Sequence, residues 1–97
     1  MKAMAYVSIT PLDKGESVSK YVSKAVKVIK ESGLEWQLTP MGTIIAGENT
    51  SQVFDIINKA IESLDDCNRI SISIKIDYRK NRTGKMSDKV ESVMKQI

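Results

Sequence analysis

Asp77 stands between two cations, Lys75 and Arg79, at the end of an isoleucine-alternating run. A carboxylate so placed can accept from a donor or balance a cationic ligand, or it can simply pair with its neighbours at the surface. The cations continue through Lys80, Arg82 and Lys85, and such clusters seek phosphate. Nucleic acid does not follow, because RNA-binding sheets stack bases on aromatic side chains and only Tyr6 and Tyr78 stand as candidates here. Gly15-Glu16-Ser17-Val18-Ser19 leads into a helical pattern where free amides could hold an anion. Capping by Ser17 accounts for the same residues, and no GxxxxGK[ST] or GxGxxG motif occurs.

Histidine is absent, which removes the commonest general base, the commonest metal ligand and the Ser-His and Cys-His nucleophile pairs. Cys67 is the single cysteine, so neither an internal disulfide nor a multi-cysteine metal site can form. It reads as a small residue near a helix end rather than as a reactive thiol. These absences point to a binding protein rather than an enzyme, with no metal and no cofactor.

The groups that remain must be positioned by one small core. A chain of 97 residues with 41% apolar and 28% charged residues forms a single domain, here 1–97, of ordinary globular composition. No run approaches the ~20 apolar residues of a membrane helix, and the N-terminus shows no signal-like segment, so a cytoplasmic protein is expected. The net charge of +3 is modest for a nucleic-acid binder.

Periodicity supplies the elements. Met4–Thr10 alternates as a strand, with Ala5, Val7 and Ile9 on one face, and Pro11 ends it. Val18, Tyr21, Val22, Ala25, Val28 and Ile29 recur at helical spacing until Gly33. Leu34–Thr39 and Gly42–Gly47 form a hairpin around Thr39-Pro40-Met41-Gly42, which suits a type I turn. Asn49 or Thr50 caps a second helix whose stripe is Val53, Ile56, Ile57, Ala60, Ile61 and Leu64. Ile70, Ile72, Ile74 and Ile76 mark the inner face of a fourth strand, and Ser87 caps a terminal helix striped by Val90, Val93, Met94 and Ile97. The fold class is α+β: a ferredoxin-like βαββαβ with a four-stranded antiparallel sheet, both helices on one face, plus a C-terminal helix.

The other sheet face is expected to carry Tyr6, Ser8, Thr10, Gln37, Thr39, Thr43, Ser71, Ser73, Lys75 and Asp77. It is either solvated or packed against a second copy, leaving a polar pocket between chains. The terminal helix poses the same choice, since its stripe is buried by a neighbouring subunit or in cis at the sheet edge.

Four segments carry a resemblance: Ser17-Val18-Ser19-Lys20-Tyr21-Val22, Pro40-Met41-Gly42-Thr43, Lys75-Ile76-Asp77-Tyr78-Arg79 and Lys89-Val90-Glu91-Ser92-Val93. Together, and in this order, they resemble the small thiamine-binding proteins of bacteria, archaea and fungi. The resemblance implies a ferredoxin-like subunit, a homotetramer built from dimers, and binding of thiamine or hydroxymethylpyrimidine without a reaction. Carried over by position, it implies Ser19 as a polar contact at the helix start, Met41 and Thr43 as pocket wall and hydrogen-bonding group, and Lys75 and Asp77 as charged groups at the rim. The loop Lys80–Lys85 is more basic than the family pattern, which would suit a phosphorylated form of the ligand. The alternative is an oligomeric regulatory or structural module without such a ligand.

Overall fold

The computed structural model describes all residues, Met1–Ile97. The elements are β1 (Ala3–Pro11), α1 (Ser19–Glu31), β2 (Glu35–Thr39), β3 (Gly42–Gly47), α2 (Thr50–Glu62), β4 (Ile70–Tyr78) and α3 (Met86–Met94). The strands form one antiparallel sheet in the order β2-β3-β1-β4, the ferredoxin-like arrangement. No helix is long and apolar enough to cross a membrane.

Helices α1 and α2 cover one face. Ala3, Ala5, Val7 and Ile9 of β1, Ile45 of β3, Ala25 and Ile29 of α1, and Val53, Ile57 and Ala60 of α2 form the core, which Leu64 extends past the end of α2. Alanines on both layers let the helices lie close to the sheet. Gly33, with φ +81, reverses the chain out of α1 in the left-handed conformation that glycine adopts freely.

Helix starts follow local and distant partners alike. Asn49 caps α2, its side chain accepting from the Gln52 amide at 2.8 Å. Ser17 does not cap α1: Val18 takes that position without a side-chain bond and lines an uncharged cleft beside Val22, so the helix begins at Ser19. Nor does Ser87 cap α3. The Asp88 carboxylate accepts from the Lys85 amide at 2.8 Å, while Glu35, on β2, accepts from Met86 and Ser87 amides at 2.7 and 3.3 Å.

Three expectations about faces change. Directly paired residues share a face, and Thr43 pairs with Val7 and Leu38, so it lies on the helix side rather than the open side. The β4 isoleucines do face the helix layer, but only Ile70 and Ile76 pack against the core. Ile72 and Ile74 remain 36% and 42% exposed, because α1 and α2 lie over β1, β2 and β3 and leave the edge strand β4 largely uncovered. Finally, α3 docks in cis on the open face rather than at an edge. Met86 is buried with Met1 and Ala46, against Met4 and Ile44, whereas Val90, Val93, Met94 and Ile97 stay exposed.

Candidate functional site

Two clefts gather the residues of interest, one on each side of the sheet. The first lies between the start of α1 and the tip of the β2–β3 hairpin and has a volume of about 240 Å³. Val18, Val22 and Val26 of α1 form one wall, and Pro40-Met41-Gly42-Thr43 forms the other.

The hairpin tip is fixed by its own hydroxyl. Thr39 Oγ1 accepts from the amides of Met41 and Gly42 at 3.3 and 3.2 Å and donates to the Gly42 carbonyl at 2.8 Å, so the two-residue turn Pro40-Met41 needs no left-handed residue. A phenol holds it from the open face, Tyr6 donating to the Met41 carbonyl at 2.6 Å. Gly42 permits this approach, since a Cβ there would lie 2.6 Å from the Tyr6 ring and 2.8 Å from the Val7 carbonyl oxygen.

The chemistry of this cleft is polar but uncharged. Thr43 is 4% exposed, and its hydroxyl enters none of the side-chain hydrogen bonds of the chain; no fully enclosed side-chain polar atom lacks a partner, so that hydroxyl opens to the cleft. The ladder between β1 and β3 ends at Val7–Thr43, whereas β1 continues alongside β4 to Pro11. Ser8, Ile9 and Thr10 therefore have a strand partner on the β4 side only, and all three line the cleft. A bare strand edge alternates donors and acceptors, the pattern an amino-substituted heterocycle can match. None of the lining residues is Asp, Glu, Lys or Arg.

The second cleft, of about 550 Å³, lies on the open face beneath α3. Met4, Ile44 and Met86 give it an apolar floor, and Tyr6, Gln37, Lys75, Asp77 and Lys89 supply its polar groups. Arg82 donates to Asp77 Oδ2 at 2.7 Å, and Lys89 Nζ lies 3.7 Å from the same oxygen. Hydrogen bonding from Arg82, reinforced by the charges of Arg82 and Lys89, holds the Asp77 carboxyl below its ordinary value against a smaller opposing effect of burial.

The five residues carried over by resemblance thus do not share one pocket. Met41 and Thr43 line the first cleft, Lys75 and Asp77 the second, and Ser19 an outer groove that shares Val22, Val26 and Leu38 with the first. The separation follows from register, because Lys75 and Asp77 pair with Tyr6 and Met4 on the open face while Thr43 pairs with Val7 on the other. Tyr21 of the first motif packs against the core, with Lys14 and Lys20 within 6 Å of its ring.

The basic loop is only partly available to a ligand. Arg82, its side chain 9% exposed, also donates to the carbonyls of Met1, Lys2 and Asp77 at 3.1, 3.2 and 2.9 Å, stitching the start of β1 to the end of β4. Asp13 plays a similar part at the other end of the sheet, accepting from the amides of Asn68 and Arg69. Its carboxyl is held below the ordinary value chiefly by the Asn68 amide. Burial raises the Cys67 thiol, aided by the charges of Asp66 and Asp13, which is the wrong direction for a nucleophile.

Comparisons with known proteins agree with this architecture over nearly the whole chain. A UPF0045 protein of Methanocaldococcus jannaschii is 39% identical, with 95% of this chain and 92% of that one covered. Another, of Mycobacterium bovis, is 34% identical over 100% and 96%. A crystal structure from M. jannaschii superposes with a TM-score of 0.84 at 36% identity, covering 97% and 98% of the two chains. A Thermotoga maritima structure, described as that of a proposed thiamine biosynthesis or salvage protein, shares the fold with a TM-score of 0.82 at 17% identity, over 96% and 99%. The sequence pattern that defines the family described as thiamine-binding protein matches residues 5–94, and the chain belongs to that family.

Proposed function

We propose that this chain binds the aminopyrimidine part of thiamine, free as hydroxymethylpyrimidine or within thiamine itself, in the cleft between α1 and the hairpin tip, and performs no reaction on it. The observation that carries this reading is the nearly buried Thr43 hydroxyl, without a partner in the chain, lining a cleft that holds no charged side chain. A neutral aromatic ring with hydrogen-bonding edges suits such a lining, and a cationic thiazolium would project out past Met41, which is 80% exposed. The volume of about 240 Å³ falls just below the ~300–1,000 Å³ of drug-sized sites, the scale of a single substituted ring. No lining residue offers a general acid or base near neutral pH, which supports binding over catalysis. The family description and the T. maritima relative support a thiamine-related role.

Calorimetry with hydroxymethylpyrimidine, thiamine and thiamine phosphate tests this. The expected result is micromolar or tighter binding, about −8 kcal/mol or better, for the first two. Thr43→Val, which keeps the shape and removes the hydroxyl, is expected to weaken both by about tenfold, one hydrogen bond's worth. Equal affinity in that variant would take Thr43 out of the site.

The second reading is an oligomeric regulatory or structural module, favoured by the bare edge of β4 with Ile72 and Ile74 exposed beside it. Both readings are compatible with a homotetramer assembled from dimers, for which that edge is the natural first contact. Light scattering during gel filtration reads the assembly, and a tetramer silent to all three compounds would favour the module.

A further inference from the structure

The cleft beneath α3 lies on the far side of the sheet from the proposed pyrimidine site and has a different chemistry. Three cations, Lys75, Arg82 and Lys89, stand around one carboxylate, Asp77. Arg82 is consumed by Asp77 and by backbone carbonyls. The Asp77 carboxylate is therefore satisfied by the protein, and Lys89 lies at 3.7 Å from an oxygen that already accepts from Arg82. Glu35, the other carboxylate on this part of the face, is committed to the Met86 and Ser87 amides. Lys75 forms no ion pair, and half-exposed Lys89 has only that shared oxygen. Lys75 thus borders the cleft with no carboxylate, and Lys89 with one that it shares with Arg82.

Below them the surface is apolar: Met4 and Ile44 from the sheet, Met86 and Val90 from α3. Met86 is fixed by burial and by the Glu35 hold on its amide, so the cleft keeps its shape without an occupant. Val90, one turn further on, is 55% exposed despite facing this space. Methionine side chains adapt their shape readily to an aliphatic or aromatic guest. A volume of about 550 Å³ is enough for a body well beyond one ring.

From this we infer a second binding site that takes an amphiphilic anion: a carboxylate head held by Lys75 and Lys89, with an apolar body lying on Met4, Ile44 and Val90. The inference stands apart from the pyrimidine reading, since the two clefts have different linings on opposite faces.

Decanoate is the probe, titrated calorimetrically below its micelle concentration, with decyltrimethylammonium as the charge-reversed control. Decanoate is expected to bind one per chain and decyltrimethylammonium to be silent. Lys75→Met with Lys89→Met, two exposed positions whose change leaves the core intact, is expected to weaken decanoate by about tenfold or more, as loss of charge-assisted hydrogen bonds does. Thr43→Val is expected to leave decanoate affinity unchanged, and the lysine pair to leave pyrimidine affinity unchanged, so that failure of one site is separable from failure of the other. Absence of decanoate binding, equal binding of the cationic control, or indifference to the lysine substitutions would each overturn the inference.

Discussion

Gly42→Ala puts the hairpin tip to the test. The added methyl would sit 2.6 and 2.7 Å from two Tyr6 ring carbons and 2.8 Å from the Val7 carbonyl oxygen, where carbon–carbon contacts settle at about 3.5–4.0 Å. Something must therefore move by about 1 Å. The ring cannot yield freely, because its hydroxyl is bonded to the Met41 carbonyl at 2.6 Å, and Val7 belongs to the central strand. Overpacking of this kind costs about 1–3 kcal/mol, and loss of the phenol bond about 1 more. At roughly 4–8 °C per kcal/mol for a domain of this size, about 2–4 kcal/mol lowers the Tm by some 10–30 °C. Thermal melts followed by circular dichroism read it directly. In a Tyr6→Ala background the penalty should shrink but not vanish, since the Val7 oxygen remains. A Gly42→Ala protein that melts with the wild type would refute the close packing of hairpin and phenol, and with it the fixed wall of the first cleft.

Two further outcomes follow from the ion and cap geometry. Glu35→Ala removes the acceptor at the start of α3, a cap contribution of about 1 kcal/mol, so hydrogen exchange at Met86 and Ser87 should quicken by about fivefold while α1 and α2 amides are unchanged. Uniform exchange behaviour would show that Glu35 does not hold the helix. Asp77 and Asp13 both have carboxyls depressed below the ordinary value of 3.8, so their contributions are complete above that pH and are lost as it falls toward the folded values. Urea unfolding below about pH 4 should accordingly show a shallower loss of stability in Asp77→Asn than in the wild type; parallel acid profiles would remove Asp77 from the linkage.

Much of the fold could be read from periodicity because one core dictates it. The stripes in α1 and α2 and the alternation of β1 each report burial against the same interior, β4 touching it only through Ile70 and Ile76, and the strand order follows from the crossovers. Register was the part that periodicity alone left open. Thr43 looks like any polar strand residue until its pairing with Val7 is known, and that one step moves it from the open face to the wall of the first cleft. Glu35 is similar: as an outward residue of a half-buried strand it carries no local sign that it will cap a helix 51 residues later. Arg82 read as one of several loop cations, and only its contacts with Met1, Lys2 and Asp77 distinguish a fastening from a charge facing solvent. Motifs brought the candidate site residues together along the sequence but could not say that the sheet would divide them.

Tyr6 has a further consequence. Its ring lines the cleft beneath α3, while its hydroxyl holds the carbonyl of Met41, a residue that also walls the opposite cleft, so one side chain touches both. A guest beneath α3 that turns this ring must shift the carbonyl at the wall of the hairpin cleft. Free-energy linkage makes any such effect mutual: whatever factor one occupant imposes on the other's affinity is returned in full. The phenol thus offers a route by which the two sides of a four-stranded sheet can sense one another, through a single hydrogen bond rather than a movement of the fold.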